Sequence, residues 1–160
     1  MTHKIIELFG NTLKVFEDGK VLVLGKRNPN KDEYYEKKCF KNNKGYLNLQ
    51  LNHKYKRKSY LIHRIIAFAF LELDIENTKQ VIDHQDIDKS NNVVSNLRIV
   101  TNQQNLFNTN AKGYCWNKQR NKWQSSIRGD GKQIHLGLFE NEEDAKQAYE
   151  DAKLIYHIIE

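Results

Sequence analysis

The chain has 160 residues, 39% of them hydrophobic and 29% charged, which suits one domain of ordinary size or two small ones and is too apolar for a disordered segment. Its formal net charge of +6 favours a polyanionic partner. The N-terminus MTHKIIELFG lacks the apolar core of a signal peptide, and the longest apolar stretch, Ile65 to Leu71, is too short to span a membrane. A soluble, cytoplasmic protein is expected. Cys39 and Cys115 lie 76 residues apart and match no zinc spacing, so neither a structural zinc nor a disulfide is expected.

The first 60 residues read as short strands and turns. VFEDGKVLVLG has a strand-turn-strand pattern around Asp18 and Gly19. KGYLNLQL alternates, with Leu47, Leu49 and Leu51 on one side and Tyr46, Asn48 and Gln50 on the other. KSYLIH can pair with it across the basic turn Asn52 to Lys58, giving a hairpin with an apolar face and a positive tip. From Lys37 to Arg64 there are nine Lys and Arg and no acid, as expected of a surface that follows phosphates.

Ile62 to Leu71 follows at helical spacing and reads as a short buried helix. VIDH and LRIV are strand candidates flanking the Asp-, Asn- and Ser-rich loop QDIDKSNNVVSN. Thr101 can cap a helix reaching about Asn108, and residues 108–112 read as a linker. Beyond it YCWNK, KWQSSIR and KQIHLGLF read as three strands, with turns at Arg120-Asn121 and Asp130-Gly131. Asn141 is the expected N-cap of a helix whose first turn carries Glu142, Glu143 and Asp144, and Ala145, Ala148, Tyr149, Ala152 and Tyr156 share one face of it. The basic charge forms two blocks. Residues 113–139 hold five basic groups against one acid, whereas 140–160 hold seven acids against two lysines.

Between residues 80 and 108 the order strand, loop, strand, helix gathers groups suited to phosphodiester cleavage. Asp83 and His84 end the first strand, and Asn105 lies near the middle of the helix. Imidazole suits a general base because its ordinary pKa lies near physiological pH. A carboxylate and an amide oxygen are hard ligands suited to Mg²⁺ or Mn²⁺, and Mg²⁺ keeps waters and phosphates in its shell, so two protein ligands suffice. The same residues also fit a bland reading, in which Asp-His is a hydrogen-bonded strand end and Asn105 is surface. Asp86 and Asp88 invite a calcium-loop reading, but Asn91 and Leu97 stand where that loop needs Gly and Glu, so these acids read as turn residues.

VIDHQDIDKSNNVVSNLRIVTNQQN, residues 81–105, resembles the motif of the HNH homing endonucleases of phages and introns, the ββα-metal nucleases. His84, Asn96 and Asn105 fall in the three signature positions, spaced 12 and 9 apart, and IHRIIAFAF (62–70) is similar to the helix preceding that motif. The resemblance covers roughly residues 46–108. It implies that His84 is the general base, that Asp83 and Asn105 hold one divalent cation, and that Asn96 fixes the loop and the orientation of His84. The family's common Gly between the loop acids is Ile87 here, and a different turn is expected at that point.

GYCWNK, KWQSSIR, HLGLF and EDAKQAY together resemble the AP2-type DNA-binding domain, a three-stranded antiparallel sheet backed by one helix, over nearly all of residues 112–156. The resemblance implies that the sheet face away from the helix enters the major groove. Alternation puts Trp123, Ile127, Ile134, Leu136 and Phe139 towards the helix. It puts Gln124, Ser126, Arg128, Gln133 and His135 on the other face, joined by Trp116 and Lys118.

The sequence thus predicts an α+β chain. Residues 1–110 form an HNH endonuclease domain with a basic β-rich region, and residues 111–160 an AP2-like DNA-binding domain. The expected DNA contacts are Lys54, Lys56, Arg57, Lys58 and Arg64 in the first, and Trp116, Lys118, Gln124, Ser126, Arg128, Gln133 and His135 in the second. The expected activity is site-specific cleavage of double-stranded DNA by a monomer with one divalent cation, in the host cytoplasm if phage-encoded. The alternative is a sequence-specific DNA-binding regulator with an inactive nuclease core.

Overall fold

The computed structural model describes residues 2–28, 31–109, 111–129 and 131–158. It divides into two compact units, Met1–Thr101 and Asn102–Glu160. The division falls ahead of the boundary expected after residue 110, because the helix following the motif belongs with the second unit. Two expected features, Asn110 in the linker and Asp130 in a turn, lie outside the described residues.

The first unit opens with an antiparallel meander of β1 (His3–Leu8), β2 (Asn11–Phe16), β3 (Val21–Asn28) and β4 (Lys31–Glu36). The turn between β2 and β3 is the expected one: Gly19 adopts φ 90°, and the Lys20 amide donates to Oδ1 of Asp18 at 3.0 Å. Leu13, Val15, Val21 and Val23 alternate into the core.

A second sheet joins β5 (Phe40–Lys41), β6 (Leu47–His53) and β7 (Lys56–Leu61). Leu49 pairs with Tyr60, Leu51 with Lys58 and His53 with Lys56, as the alternation of KGYLNLQL requires. Leu49, Leu51 and Tyr60 are buried, while Lys54, Tyr55, Lys56 and Arg57 are exposed at the tip. The chain passes directly from β7 into α1 (Ile62–Phe70), which buries Ile62, Ile65, Ile66 and Ala69 in the same core as the sheets. Burial of such side chains stabilises by roughly 1.5–3 kcal/mol each. β8 (Val81–His84) and β9 (Leu97–Val100) form the antiparallel hairpin expected from VIDH and LRIV, and Ile82 and Leu97 anchor it to that core.

The second unit holds α2 (Asn102–Phe107), a sheet ordered β10 (Tyr114–Asn117), β11 (Lys122–Gly129), β12 (Lys132–Phe139), and α3 (Glu142–Tyr156). Asn141 caps α3 as expected, its Oδ1 accepting from the Asp144 amide at 2.9 Å. Ile127, Tyr149 and Ala152 form the small core, with Tyr114, Ile134, Leu136 and Tyr156 packed around it. Gly113 lets the chain enter β10 under the Tyr149 ring: its φ is 67°, and a Cβ there would lie 2.0 Å from that ring.

Candidate active site

Antiparallel pairing of β8 with β9 sets Asp83 opposite Arg98 and His84 opposite Leu97. Directly opposed residues share a face of the sheet, so the Asp83 carboxylate meets the Arg98 guanidinium. Its Oδ2 accepts from Nη2 at 2.7 Å and from Nε at 2.8 Å. Asp83 is only 5% exposed, and this guanidinium gives the buried carboxylate an ion-pair partner.

His84 is also buried. Its Nε2 lies 3.2 Å from Oδ1 of Asn92, whose Nδ2 in turn donates to the Ser90 carbonyl at 3.1 Å. An amide oxygen only accepts, so this contact calls for an N–H at Nε2. Two further rings wall the site. His63 stands edge-to-face to His84 with centroids 5.1 Å apart, and Tyr46 contacts both, at 4.9 Å from His63 and 5.9 Å from His84. Burial, reinforced by the neighbouring His84 and Arg64, pushes the His63 pKa down to about 3, so this imidazole is neutral at physiological pH.

Asn96 organises the loop between the strands. Its Nδ2 donates to Oδ1 of Asp86 at 2.8 Å and to the Asn91 carbonyl at 2.9 Å, and its Oδ1 accepts from the Asp86 amide at 3.0 Å. The expected contact to the His84 ring is instead made by Asn92, four residues earlier, because the loop folds back over the end of β8. Hydrogen bonds from Asn91 and then Asn96 hold the Asp86 carboxyl below its ordinary range. Asp86 accepts from the Asp88 amide, and Asp88 from the Ser90 amide and hydroxyl, as turn residues do.

The different turn expected at Ile87 is not found. Ile87 takes φ 69°, the left-handed conformation that glycine adopts without strain, and its side chain is 41% exposed. The β2–β3 turn braces the far side of the loop: the Val94 amide donates to the Glu17 carbonyl at 2.9 Å, and a Cβ on Gly19 would lie 3.0 Å from the Asn92 backbone.

Asn105 lies on α2, in the second unit. Among the described residues there is no group of three or more His, Cys, Asp or Glu side chains that could hold a metal. Asp83 offers a carboxylate oxygen and Asn105, in the second unit, an amide oxygen, donor types whose hardness fits Mg²⁺ or Mn²⁺.

Two of the expected phosphate contacts are engaged elsewhere. Arg64 donates to the carbonyls of Asp74, Ile75, Asn77 and Gln80 at 2.9–3.3 Å and so fastens the 74–80 loop to α1. A guanidinium is drawn inwards here because four carbonyls of an irregular loop need donors. Lys58 sits on the Tyr60 side of its strand, 4.9 Å from that ring, and pairs with Glu76 at 3.0 Å. Lys54, Lys56 and Arg57 remain exposed at the hairpin tip.

In the second unit Gln124, Ser126 and Arg128 alternate with the buried Ser125 and Ile127, and Gln133 and His135 stand opposite Arg128 and Ser126. Nε2 of Gln133 donates to Oγ of Ser126 at 3.1 Å. These five side chains share the face away from Ile127 and α3. Trp116 does not join them. It pairs directly with Trp123, the rings 5.6 Å apart and T-shaped, so it belongs to the face towards Ile127. Cys115 and Asn117 occupy the outer face of β10 instead, with Nδ2 of Asn117 donating to Oε1 of Gln124 at 2.8 Å. Lys118 lies exposed in the turn after β10.

Sequence reasoning missed Asn92, Arg98 and Tyr46 as site components. Asn92 stood within the Asp-, Asn- and Ser-rich loop QDIDKSNNVVSN, with nothing local to set it apart from its neighbours. Aligning VIDH antiparallel to LRIV with His84 opposite Leu97 would have placed Arg98 against Asp83. The rings of Tyr46 and His63 reach His84 only through the packing of β6 and α1.

Residues 60–106 match the HNH endonuclease family. Over 105 residues, 64% of this chain and 51% of the relative, the sequence is 34% identical to the DNA endonuclease I-HmuI of Bacillus phage SP01. The chain thus spans about half the length of the curated relative it matches. A solved structure of the HNH homing endonuclease I-HmuI, described for its DNA binding and cleavage, superposes with a TM-score of 0.54 at 25% identity, covering 84% of this chain and 77% of that one.

Proposed function

We propose that this chain is a site-specific, divalent-metal-dependent DNA endonuclease of the homing type, with His84 as its general base. The observation that carries the reading is the tie between His84 Nε2 and Asn92 at 3.2 Å, at the end of β8 and within the segment that matches the HNH family. On this reading Nδ1 is the ring atom that takes a proton from water. The water oxygen attacks phosphorus, the bond from phosphorus to the 3′ oxygen breaks, and the departing 3′ oxygen takes a proton from solvent, so the products carry 5′-phosphate and 3′-hydroxyl ends. Asp83 and Asn105 would hold one Mg²⁺ or Mn²⁺, which supplies neutralising charge at the phosphate and the leaving oxygen. Asn96 acts on the site through the loop it closes.

Recognition is divided between two surfaces. Lys54, Lys56 and Arg57 at the hairpin tip, with Lys118 in the second unit, contact phosphate. Gln124, Ser126, Arg128, Gln133 and His135 read base edges from an AP2-like sheet. The substrate is double-stranded DNA, bound by a monomer in the cytoplasm of the host cell.

A second reading, a DNA-binding regulator with an inactive core, is favoured by one feature: Arg98 already engages Oδ2 of Asp83. A plasmid-nicking assay with and without Mg²⁺ or Mn²⁺ separates the two. Metal-dependent nicking that His84→Ala abolishes while DNA binding survives supports the endonuclease. Binding without nicking in either metal supports the regulator.

A further inference from the structure

β6 and β7 are joined by two residues, Lys54 and Tyr55, since His53 pairs with Lys56 and Asn52 with Arg57. Neither residue suits such a turn. Lys54 takes φ 52°, the left-handed conformation in which two-residue hairpins place Gly, Asn or Asp. Tyr55 has a relative exposure of 105%, above every other large hydrophobic side chain among the described residues, so no neighbour shields its ring. A turn that strains a lysine and leaves an aromatic ring wholly in water gains the fold nothing.

The base of the tip is nevertheless held firmly. Phe9 lies edge-on to His53, with ring centroids 6.0 Å apart. Gly10, at φ 65°, brings its backbone so close to that imidazole that a Cβ would fall 2.0 Å from Nδ1. Asn11 Nδ2 donates to the Asn52 carbonyl at 3.2 Å. The turn between β1 and β2 thus braces the end of β6, and the Tyr55 ring projects beyond a fixed support. Lys54, Lys56 and Arg57 flank it and are exposed, and no acid stands between Lys37 and Arg64. Cations on both sides of an unshielded ring match the two surfaces that a duplex offers together, phosphates and the faces of bases.

We infer that Tyr55 is a wedge that enters bound double-stranded DNA at one base step and stacks on a base there, with Lys54, Lys56 and Arg57 on the flanking phosphates. The inference rests on the DNA-binding part of the endonuclease reading and deepens it. Opening a step costs least where a pyrimidine precedes a purine, so the tip adds a preference for flexible steps that no hydrogen bond to a base edge supplies. Stacking needs the ring and not the hydroxyl, and it carries no charge.

The test uses the full chain, without divalent metal so that binding is read apart from cleavage, and a duplex selected for binding from a random-sequence pool. Permanganate attacks the face of a thymine that has lost its stacking, and both strands are scanned. The wild-type complex should contain a hyperreactive thymine. Tyr55→Phe should keep it, together with the wild-type affinity. Tyr55→Ser should lose it and bind on the order of 10-fold more weakly, with an unchanged dependence of affinity on salt and an unchanged Tm. A wild-type complex without such a thymine, or one that Tyr55→Ser retains, would overturn the inference and leave DNA binding in place. Equal weakening by Tyr55→Phe would also overturn it, by assigning the hydroxyl a phosphate contact. A wild-type chain that selects no duplex from the pool would remove the DNA-binding reading itself.

Discussion

Gly19 packs directly against the backbone of Asn92, so the tip of an N-terminal hairpin braces the residue that holds His84 by its Nε2. A Cβ at Gly19 would press on the Asn92 carbonyl, and the φ of 90° already excludes most side chains without strain. Gly19→Ala is therefore expected to slow nicking by displacing Asn92, although residue 19 lies far from the motif in sequence. Asn92→Ala should slow it by up to about 100-fold by releasing the His84 tautomer and orientation. Single-turnover rates at saturating DNA check both. Wild-type rates in Asn92→Ala would remove this residue from the site.

Ile87→Gly should stabilise the protein. A β-branched residue with left-handed φ is strained by roughly 1–2 kcal/mol, and glycine returns part of this as chain entropy, leaving a net gain of about 1 kcal/mol. The side chain is 41% exposed, so little packing is lost. Urea unfolding with an unchanged m-value is the measurement, and a lower midpoint would contradict the expectation.

Arg64→Ala is expected to destabilise the first unit by about 2–3 kcal/mol, because four loop carbonyls lose a charged donor. Arg64→Lys should not restore it, since an ammonium cannot span that fork. The salt dependence of DNA binding should stay as in the wild type. A shallower salt slope with unchanged stability would instead return Arg64 to the phosphate contacts.

The stability of the chain should fall as the pH drops from about 6.5 towards 3. The folded pKa of His63, about 3, lies below its ordinary value of 6.5, so between these limits the unfolded chain binds a proton that the folded chain refuses. The slope from this group approaches about 1.4 kcal/mol per pH unit within the window and vanishes above it. His63→Phe should flatten the profile over that range. An unaltered profile would show that His63 protonates equally in both states.

Arg128→Ala should relax discrimination at one part of the target by about 1–3 kcal/mol, whereas Lys54→Ala and Lys56→Ala should weaken binding to all sequences and reduce its salt slope. Trp116→Ala, being on the inner face with Trp123, should lower stability and leave base preference unchanged. Affinities for a panel of single-base target variants at two salt concentrations decide among these. A uniform loss for Arg128→Ala across the panel would place it on phosphate.

The elements around the motif were legible because their signals are local. The alternation in KGYLNLQL, the paired runs VIDH and LRIV, and the Asn141 cap each act over a few residues and formed as expected. The chemistry was suggested by the family resemblance that His84, Asn96 and Asn105 carry. What the sequence left open lies between segments. Alternation sorts the faces within one strand but not between strands, so only the pairing of Trp116 with Trp123 decided which side Trp116 takes. The same holds for Arg98, which reaches Asp83 through cross-strand register. Asn92 and Asn96 carry interchangeable local signals, polar side chains in or beside one loop, and Arg64 is a charged side chain on a largely apolar helix. Which of them touches an imidazole, a turn amide or a distant carbonyl depends on where packing brings chain segments far apart in sequence, and that energy exists only once the core of the first unit has closed.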